Sequence, residues 1–309
     1  MTRILVTGSS GFIGCGLVER LLKMEGAERV SELRLVDLGQ TALADPRVRI
    51  FPGDLSDTAL LDKACAGGVD VIYHLASVPG GAAERDYAGG RNANLLATLG
   101  LIERCQQMHR PRFVFASSIA VFGKPSATPT AEGMQPIPAT TYGTHKLVGE
   151  LLLADAARRG WLSGCALRLP GVVARPPGPS GLVSTFLSDL FWAIRDGQTI
   201  TVPVSPDGMS LWISRRRCLD NLLHAAAADT AMPEGRSFLM PVLHLSFCEV
   251  VTALARRFGR DSAELVRYVP DAHVQALFGA WPNLMNDAAE RAGFRSDGSL
   301  EEMIERVFE

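Results

Sequence analysis

Residues 3–14 read RILVTGSSGFIG, an apolar run that ends in a glycine-rich turn and continues into a helical pattern. A short apolar run bounded by a turn is typical of a strand that is buried on both faces. Gly8, Gly11 and Gly14 permit a tight turn, and the helix that follows presents amide donors and the positive end of its dipole. The stretch therefore predicts a strand, turn and helix unit that binds a pyrophosphate, whereas a plain strand-to-helix turn is the alternative.

An acidic residue follows at the distance that such a unit requires. Asp37 stands 23 residues after Gly14, at the end of the second predicted strand. A carboxylate at this point accepts hydrogen bonds from both hydroxyls of an adenosine ribose and repels a 2′-phosphate. The pair of features favours NAD over NADP as the cofactor.

Strand and helix patterns alternate through the first half of the chain. This rhythm predicts an α/β fold with a Rossmann-type doubly wound parallel sheet. The rhythm fades at ARPPGPSG (174–181), which reads as a loop, and a smaller mixed α/β domain is predicted beyond it. We expect an NAD-binding domain at 1–173, with a returning segment near 211–230, and a substrate-binding cap at 174–309. The predicted strands are 3–8, 32–38, 47–54, 69–76, 111–118 and 164–173, and the predicted helices are 12–25, 57–66, 87–109, 142–159, 181–196, 218–228, 246–258 and 299–308.

Composition narrows the range of partners. The 309 residues are 47% hydrophobic and carry a net charge of −2, so nothing indicates nucleic acid or an anionic membrane as a partner. Six scattered cysteines form no CxxC pair and no metal-ligand spacing, so we expect reduced thiols and no metal. The start MTRILVTG lacks a cleavable signal, and no apolar run approaches about 18 residues. A cytoplasmic protein that acts on a small molecule is predicted.

The segment TYGTHKLVGE (141–150) carries the candidate chemistry. Tyr142 and Lys146 leave one face of a helix about one turn apart. Because the lysine ammonium favours a phenolate, Tyr142 is a candidate base for a substrate hydroxyl while a hydride leaves for the cofactor. Ser118 ends the fifth predicted strand, where its hydroxyl reaches the reacting oxygen, and Ser117 is the alternative.

Five motifs in this order resemble the extended short-chain dehydrogenase/reductase family: TGSSGFIG, GDLSD (53–57), HLAS (74–77), SSIAVFG (117–123) and YGTHK (142–146). The resemblance implies an NAD(P)-binding Rossmann domain, a smaller substrate domain and catalysis by Ser118, Tyr142 and Lys146. It also implies that Lys146 holds the nicotinamide ribose. The other cofactor contacts that we predict are Ser10, Phe12 and Ile13 in the glycine turn, Asp54 and Leu55 at the adenine, Leu75, Ala76 and Ser77 along the cofactor, Asn94 behind the active site, and Pro170 and Val173 beside the nicotinamide.

Departures from the family pattern bear on the substrate. Nucleotide-sugar members carry an asparagine and an arginine for the diphosphate, where this chain has Gly171 and Ile213. Instead, Ser214 precedes three arginines, Arg215 to Arg217, whose planar guanidinium groups suit a carboxylate or pair with surface acids. We predict that Ser118 and Tyr142 bind the reacting hydroxyl, and that Ser214 with Arg215 or Arg216 binds a carboxylate.

The sequences of the longer segments 117–123, 142–160, 167–198 and 214–225 resemble the sugar-acid dehydrogenases of the family. That resemblance implies NAD-dependent oxidation of the C2 hydroxyl of a four-carbon sugar acid. The alternatives are a nucleotide-sugar epimerase or dehydratase, which returns the hydride to its substrate, and a non-catalytic NAD-binding scaffold.

Other polar residues receive plainer interpretations. His74, His145 and His224 share no ligand spacing with a second histidine or carboxylate, so they are interpreted as structural or surface residues. Glu150 is interpreted as a solvated or interface charge. The family resemblance implies a homodimer through the helices near 87–109 and 142–159. Apolar positions at Leu147, Leu151 and Leu152 permit this contact but suit the sheet equally well.

Overall fold

The computed structural model describes residues 2–26, 29–39, 43–125, 129–131, 133–178, 183–227 and 236–309. In chain order the strands are β1 (Thr2–Thr7), β2 (Val30–Asp37), β3 (Val48–Pro52), β4 (Val71–His74), β5 (Arg112–Ser118), β6 (Thr130–Ala131), β7 (Ser163–Leu169), β8 (Gly171–Val173), β9 (Ile200–Val202), β10 (Met209–Ser214), β11 (Ser237–Leu239), β12 (Leu243–Ser246), β13 (Val266–Tyr268) and β14 (Leu284–Met285).

The helices are α1 (Phe12–Leu22), α2 (Thr58–Cys65), α3 (Gly80–Arg85), α4 (Tyr87–Arg91), α5 (Ala97–Arg104), α6 (Thr141–Arg158), α7 (Phe186–Asp196), α8 (Arg215–Ala227), α9 (Phe247–Phe258), α10 (Ser262–Leu265), α11 (Ala272–Phe278), α12 (Asp287–Arg291) and α13 (Leu300–Phe308). A π-helical turn, Asn92–Leu96, joins α4 to α5.

Within the described ranges, the main sheet has seven strands in the order β11-β7-β5-β4-β1-β2-β3. Strand β1 pairs in parallel with β2 on one side and with β4 on the other, so the strand order reverses around β1. Leu5 and Val6 of β1 have no exposed surface, as expected for a central strand covered on both faces. The predicted α/β class with a doubly wound parallel sheet is confirmed.

Register in this sheet brings three strand ends together. Thr7 of β1 pairs with His74 of β4, and His74 pairs with Phe115 of β5. The glycine turn, the segment after β4 and the serine end of β5 therefore share the carboxyl edge of the sheet, where ligands of such folds bind.

The chain clusters into two compact units. The first comprises Met1–Val121, Thr140–Arg168 and Leu222–Phe238, and the second comprises Phe122–Ala139, Leu169–Asn221 and Leu239–Glu309. The first unit thus omits residues 122–139, which we placed in the NAD-binding domain, and its returning segment begins later than predicted. A three-stranded sheet, β12-β10-β8, lies within the second unit.

Two predicted elements are divided in the structure. The predicted strand 164–173 becomes β7 and β8, because Pro170 stands between them and has no N–H for a ladder. The predicted helix 87–109 contains α4, the π-helical turn and α5, followed by a 3₁₀ turn at Cys105–Gln107. Residues 179–181 of the predicted loop and 181–182 and 228 of the predicted helices lie outside the described residues.

Candidate active site

The glycine turn after β1 leaves no room for side chains at two positions. Gly8 has φ of +72°, and a Cβ atom on it would lie 2.6 Å from the amide nitrogen of Ala76. A Cβ atom on Gly14 would lie 2.0 Å from the carbonyl oxygen of Gly8. The backbone of the turn therefore packs directly against both α1 and the segment after β4. Its amide groups, with those of Phe12 and Ile13 in the first turn of α1, fit a pyrophosphate.

Asp37 lies directly beside this turn. Its Oδ2 atom accepts a hydrogen bond of 2.8 Å from the amide of Ser10, and its Oδ1 atom accepts one of 2.7 Å from Leu38. The carboxylate is half-buried at the end of β2. Its position against the glycine turn fits the ribose-binding role predicted for it, so the residues that would hold NAD are present in one place.

The other cofactor candidates of this unit follow neighbouring strands. Ala76 donates to the Thr7 hydroxyl over 3.3 Å, and Leu75 donates to the Thr7 carbonyl over 3.2 Å. Asp54 accepts hydrogen bonds from the amide and hydroxyl of Ser56, which closes the turn after β3. Leu55 is buried in the hydrophobic core, so its side chain contributes packing at the predicted adenine site.

Asn94 lies in the π-helical turn and fixes the segment after β4. Its side-chain oxygen accepts from the Val78 amide over 2.7 Å and from the Ser77 hydroxyl over 3.1 Å. Its side-chain nitrogen donates to the Val78 carbonyl over 3.0 Å. Because π-helical turns concentrate at functional sites, this geometry agrees with a supporting position behind the active site.

Helix α6 begins where two side chains cap it. The Thr140 hydroxyl accepts from the Gly143 amide over 3.0 Å, and Glu84 accepts from the Thr141 amide over 2.5 Å. These contacts satisfy amide groups that have no partner within the helix. Tyr142 and Lys146 consequently occupy its first two turns.

The structure brings Ser118, Tyr142 and Lys146 together. Tyr142 is half-buried, and burial raises its pKa, while hydrogen bonds with Ser118 and Ser77 lower it. The Lys146 Nζ atom lies 5.5 Å from the centre of the Tyr142 ring. The phenol therefore has two hydroxyl neighbours and a cation beside its ring.

Lys146 is buried beside two aromatic rings and near a buried histidine. Its exposure is 2%, and its Nζ atom lies 4.9 Å from the centre of the Phe115 ring. His74 is also fully buried, with 2.7 Å and 2.8 Å hydrogen bonds to the hydroxyls of Thr7 and Thr98. Burial lowers the pKa of His74 to about 3, so it is neutral and structural, as predicted.

A buried ion pair lies one turn beyond Lys146. Glu150 accepts 2.8 Å and 3.0 Å hydrogen bonds from the Arg168 guanidinium and a 2.5 Å hydrogen bond from the Ser117 hydroxyl. The interpretation of Glu150 as a solvated charge is wrong, because only 3% of its surface is exposed. The Ser117 hydroxyl donates to this carboxylate, whereas Ser118 is the serine that forms a hydrogen bond with Tyr142. Arg168, a charged residue within the apolar strand GCALRL, is the signal that predicts such a partner.

The remaining candidates belong to the second unit. Pro170 separates β7 from β8, and Val173 is 1% exposed within a hydrophobic cluster. Ser214 has no exposed surface, and its hydroxyl donates to Asp297 over 2.6 Å. Arg216 forms an exposed ion pair with Glu309. The nicotinamide and carboxylate roles of these residues stay predictions.

Neither a metal-binding cluster nor a membrane-spanning helix occurs in the described part of the chain. No cluster of three or more His, Cys, Asp or Glu side chains there is arranged to hold a metal ion. None of the helices in the described ranges is both long enough and apolar enough to cross a membrane.

Several known proteins resemble this chain over nearly its whole length. The profile of the NAD dependent epimerase/dehydratase family matches residues 4–214. A D-erythronate dehydrogenase of Cupriavidus necator is 34% identical over 99% of this chain and 98% of its own length. A D-erythronate dehydrogenase of Haemophilus influenzae is 28% identical over 99% of both. A solved structure from Agrobacterium tumefaciens, described as a nucleoside-diphosphate-sugar epimerase, has a TM-score of 0.89 and 31% identity, over 98% of this chain and 92% of that chain.

Proposed function

This chain belongs to the NAD dependent epimerase/dehydratase family, and from that premise we propose that it oxidises the C2 hydroxyl of D-erythronate to the corresponding 2-oxo acid. The resemblance predicted from the motifs is confirmed at the level of the family. The chain is an NAD-dependent oxidoreductase that acts on a CH–OH group. The four-carbon sugar acid is our proposal for its substrate.

The mechanism follows from three side chains. Ser118 donates a hydrogen bond to the C2 oxygen, and Tyr142 takes the hydroxyl proton as the C2–H bond breaks. Lys146 favours the phenolate through its positive charge and holds the nicotinamide ribose by family resemblance. Bound NAD supplies the acceptor for the hydride. The contact of Tyr142 with Ser118, beside a buried lysine, is the observation that carries this assignment.

The substrate assignment rests on a different observation. Both D-erythronate dehydrogenases match this chain from end to end, so the resemblance includes the second unit and not only the cofactor-binding half. For the substrate carboxylate we propose Ser214 with Arg215 or Arg216, because planar guanidinium groups suit a carboxylate. In the structure Arg216 pairs with Glu309, and the Ser214 hydroxyl donates to Asp297. NAD-dependent catabolism of a small acid also fits the cytoplasmic location that the free cysteines predict.

Turnover separates this proposal from its rival. Purified enzyme with D-erythronate and NAD should accumulate NADH, which is followed by its near-ultraviolet absorbance. The control 3,4-dihydroxybutanoate keeps the carboxylate but lacks the C2 hydroxyl, so it should give no signal. An epimerase, as in the description of the Agrobacterium tumefaciens structure, returns the hydride to its substrate. Conversion of a UDP-sugar, with no NADH from any sugar acid, would therefore replace our assignment.

A homodimer is proposed through the face formed by α4, the π-helical turn and α6. Three large apolar side chains there are exposed: Tyr87 at 61%, Leu96 at 44% and Leu151 at 62%. Leu152, by contrast, packs against the core of the first unit. Leu151→Glu should convert the dimer to a monomer, because a charge buried in an apolar interface is strongly unfavourable.

Light scattering after size-exclusion chromatography measures this change directly. The matched control is Val269→Glu in the second unit, where a residue of 46% exposure takes the same charge and the dimer should persist. A wild-type protein that elutes as a monomer, or a Leu151→Glu variant that stays dimeric, contradicts the proposed face.

A further inference from the structure

The ion pair next to Lys146 uses both carboxylate oxygens of Glu150. Arg168 of β7 binds both carboxylate oxygens of Glu150, and Ser117 of β5 donates to one of them. All three residues are buried, with exposures of 3% for Glu150, 6% for Arg168 and 2% for Ser117. Helix α6 is thereby fixed to two strands of the sheet through one carboxylate.

Stability alone is a weak reason for such a pair. Two charges taken out of water lose most of their hydration, and a well-packed apolar pair often stabilises a fold equally well. Its place in the helix suggests a different reason. Glu150 follows Lys146 by four residues, so the carboxylate lies on the same face of α6 about one turn away.

The two rings and the histidine beside Lys146 supply no negative charge that would stabilise its ammonium. Phe115 from β5 and Tyr142 from its own helix present rings, and His74 from β4 is neutral. Burial lowers the pKa of Lys146 to about 7, and the Glu150 carboxylate raises it. Without that carboxylate the buried amine would lose its proton at a lower pH.

We propose that Glu150 is a positioning residue that acts through Lys146: its carboxylate, held by Arg168 and Ser117, keeps the buried ammonium charged beside Tyr142. The inference rests on the proposed roles of Tyr142 and Lys146 and extends them to the next turn of the helix. A charged Lys146 favours the phenolate, so Glu150 sets the pH range over which Tyr142 is able to accept a proton.

The chain offers a direct measurement because it contains four lysines, Lys23, Lys63, Lys124 and Lys146. Carbon-13 labelling of lysine gives one signal for each, and a Lys146→Arg variant assigns the signal of interest. Its pH titration should report a pKa about one unit lower in Glu150→Gln than in the wild type. Glu150→Asp retains the charge and should restore most of the difference.

Control variants distinguish the effect of the Glu150 charge on Lys146 from an effect of altered packing. Glu103→Gln removes an exposed carboxylate from α5 and should leave the Lys146 titration unchanged. If Glu150→Gln does not fold, Glu150→Gln/Arg168→Gln removes both charges and should still lower the Lys146 pKa, though by less. An unchanged Lys146 pKa, or equal lowering in the Gln and Asp variants, overturns the proposal. Because the titration needs no substrate, this outcome is independent of whether D-erythronate is oxidised.

Discussion

Tyr142→Phe should lower kcat for sugar-acid oxidation by about 10³-fold, because a phenyl ring has no group that accepts the hydroxyl proton. The substitution keeps the ring that lies beside Lys146 and removes only the hydroxyl that contacts Ser118 and Ser77. NAD binding should be retained, since the glycine turn and Asp37 are untouched. NADH appearance measures kcat, and calorimetry with NAD measures Kd.

The control for this variant is Tyr87→Phe. Tyr87 lies on α4 with 61% of its surface exposed, so loss of its hydroxyl should leave kcat unchanged. A Tyr142→Phe enzyme that keeps its rate would show that another group removes the proton. A wild-type protein that binds NAD but oxidises no candidate substrate would instead favour the non-catalytic scaffold.

The parts of the site that sequence predicted are those set by local geometry. The glycine turn needs only the spacing of Gly8, Gly11 and Gly14, and the pair Tyr142 and Lys146 needs only the period of a helix. The positions of Asp37 and Ser118 follow from the ends of predicted strands, because the apolar runs of those strands are evident in the sequence. Each of these predictions depends on a few neighbouring residues and on the parallel order of the sheet.

The contacts that sequence missed join distant parts of the chain. Glu150 and Arg168 are separated by 18 residues, and they meet because the strand that carries Arg168 lies beside β5 in the sheet. A glutamate on a helix is usually solvated, so burial of this one depends on its partner. The π-helical turn that carries Asn94 is likewise not evident in the local pattern, and the Asn94 side chain accepts from Ser77 and Val78, which lie 17 and 16 residues earlier.

The substrate residues show a further limit of sequence patterns. Three arginines after Ser214 suggested a carboxylate site, but the pattern does not say which of them already has an acidic partner. In the fold, Glu309 forms an ion pair with Arg216, and Asp297 accepts a hydrogen bond from the Ser214 hydroxyl. Along the chain, Glu309 lies 93 residues from Arg216, and Asp297 lies 83 residues from Ser214. A local sequence pattern does not reveal partners at such separations.

Gly14→Ala should weaken NAD binding by about 100-fold. The added methyl group would lie 2.0 Å from the Gly8 carbonyl oxygen and 2.9 Å from the Ser9 Cα atom, so the turn has to move away from α1. Amide donors that face a charged ligand contribute about 1.5 kcal/mol each, and loss of two of them corresponds to about 100-fold in Kd. Calorimetric titration with NAD gives the value.

Gly133→Ala is the matched control for this variant, because no heavy atom lies within 4 Å of the position that its Cβ would take. It should bind NAD as the wild type does. Circular dichroism is needed for both variants, since overpacking at Gly14 also costs about 1–3 kcal/mol of stability. A folded Gly14→Ala variant with wild-type affinity would mean that the turn between β1 and α1 is not where the pyrophosphate binds. The cofactor-binding roles of Gly8, Ser10 and Gly11 would then fail with it, because all of them depend on the same closed turn.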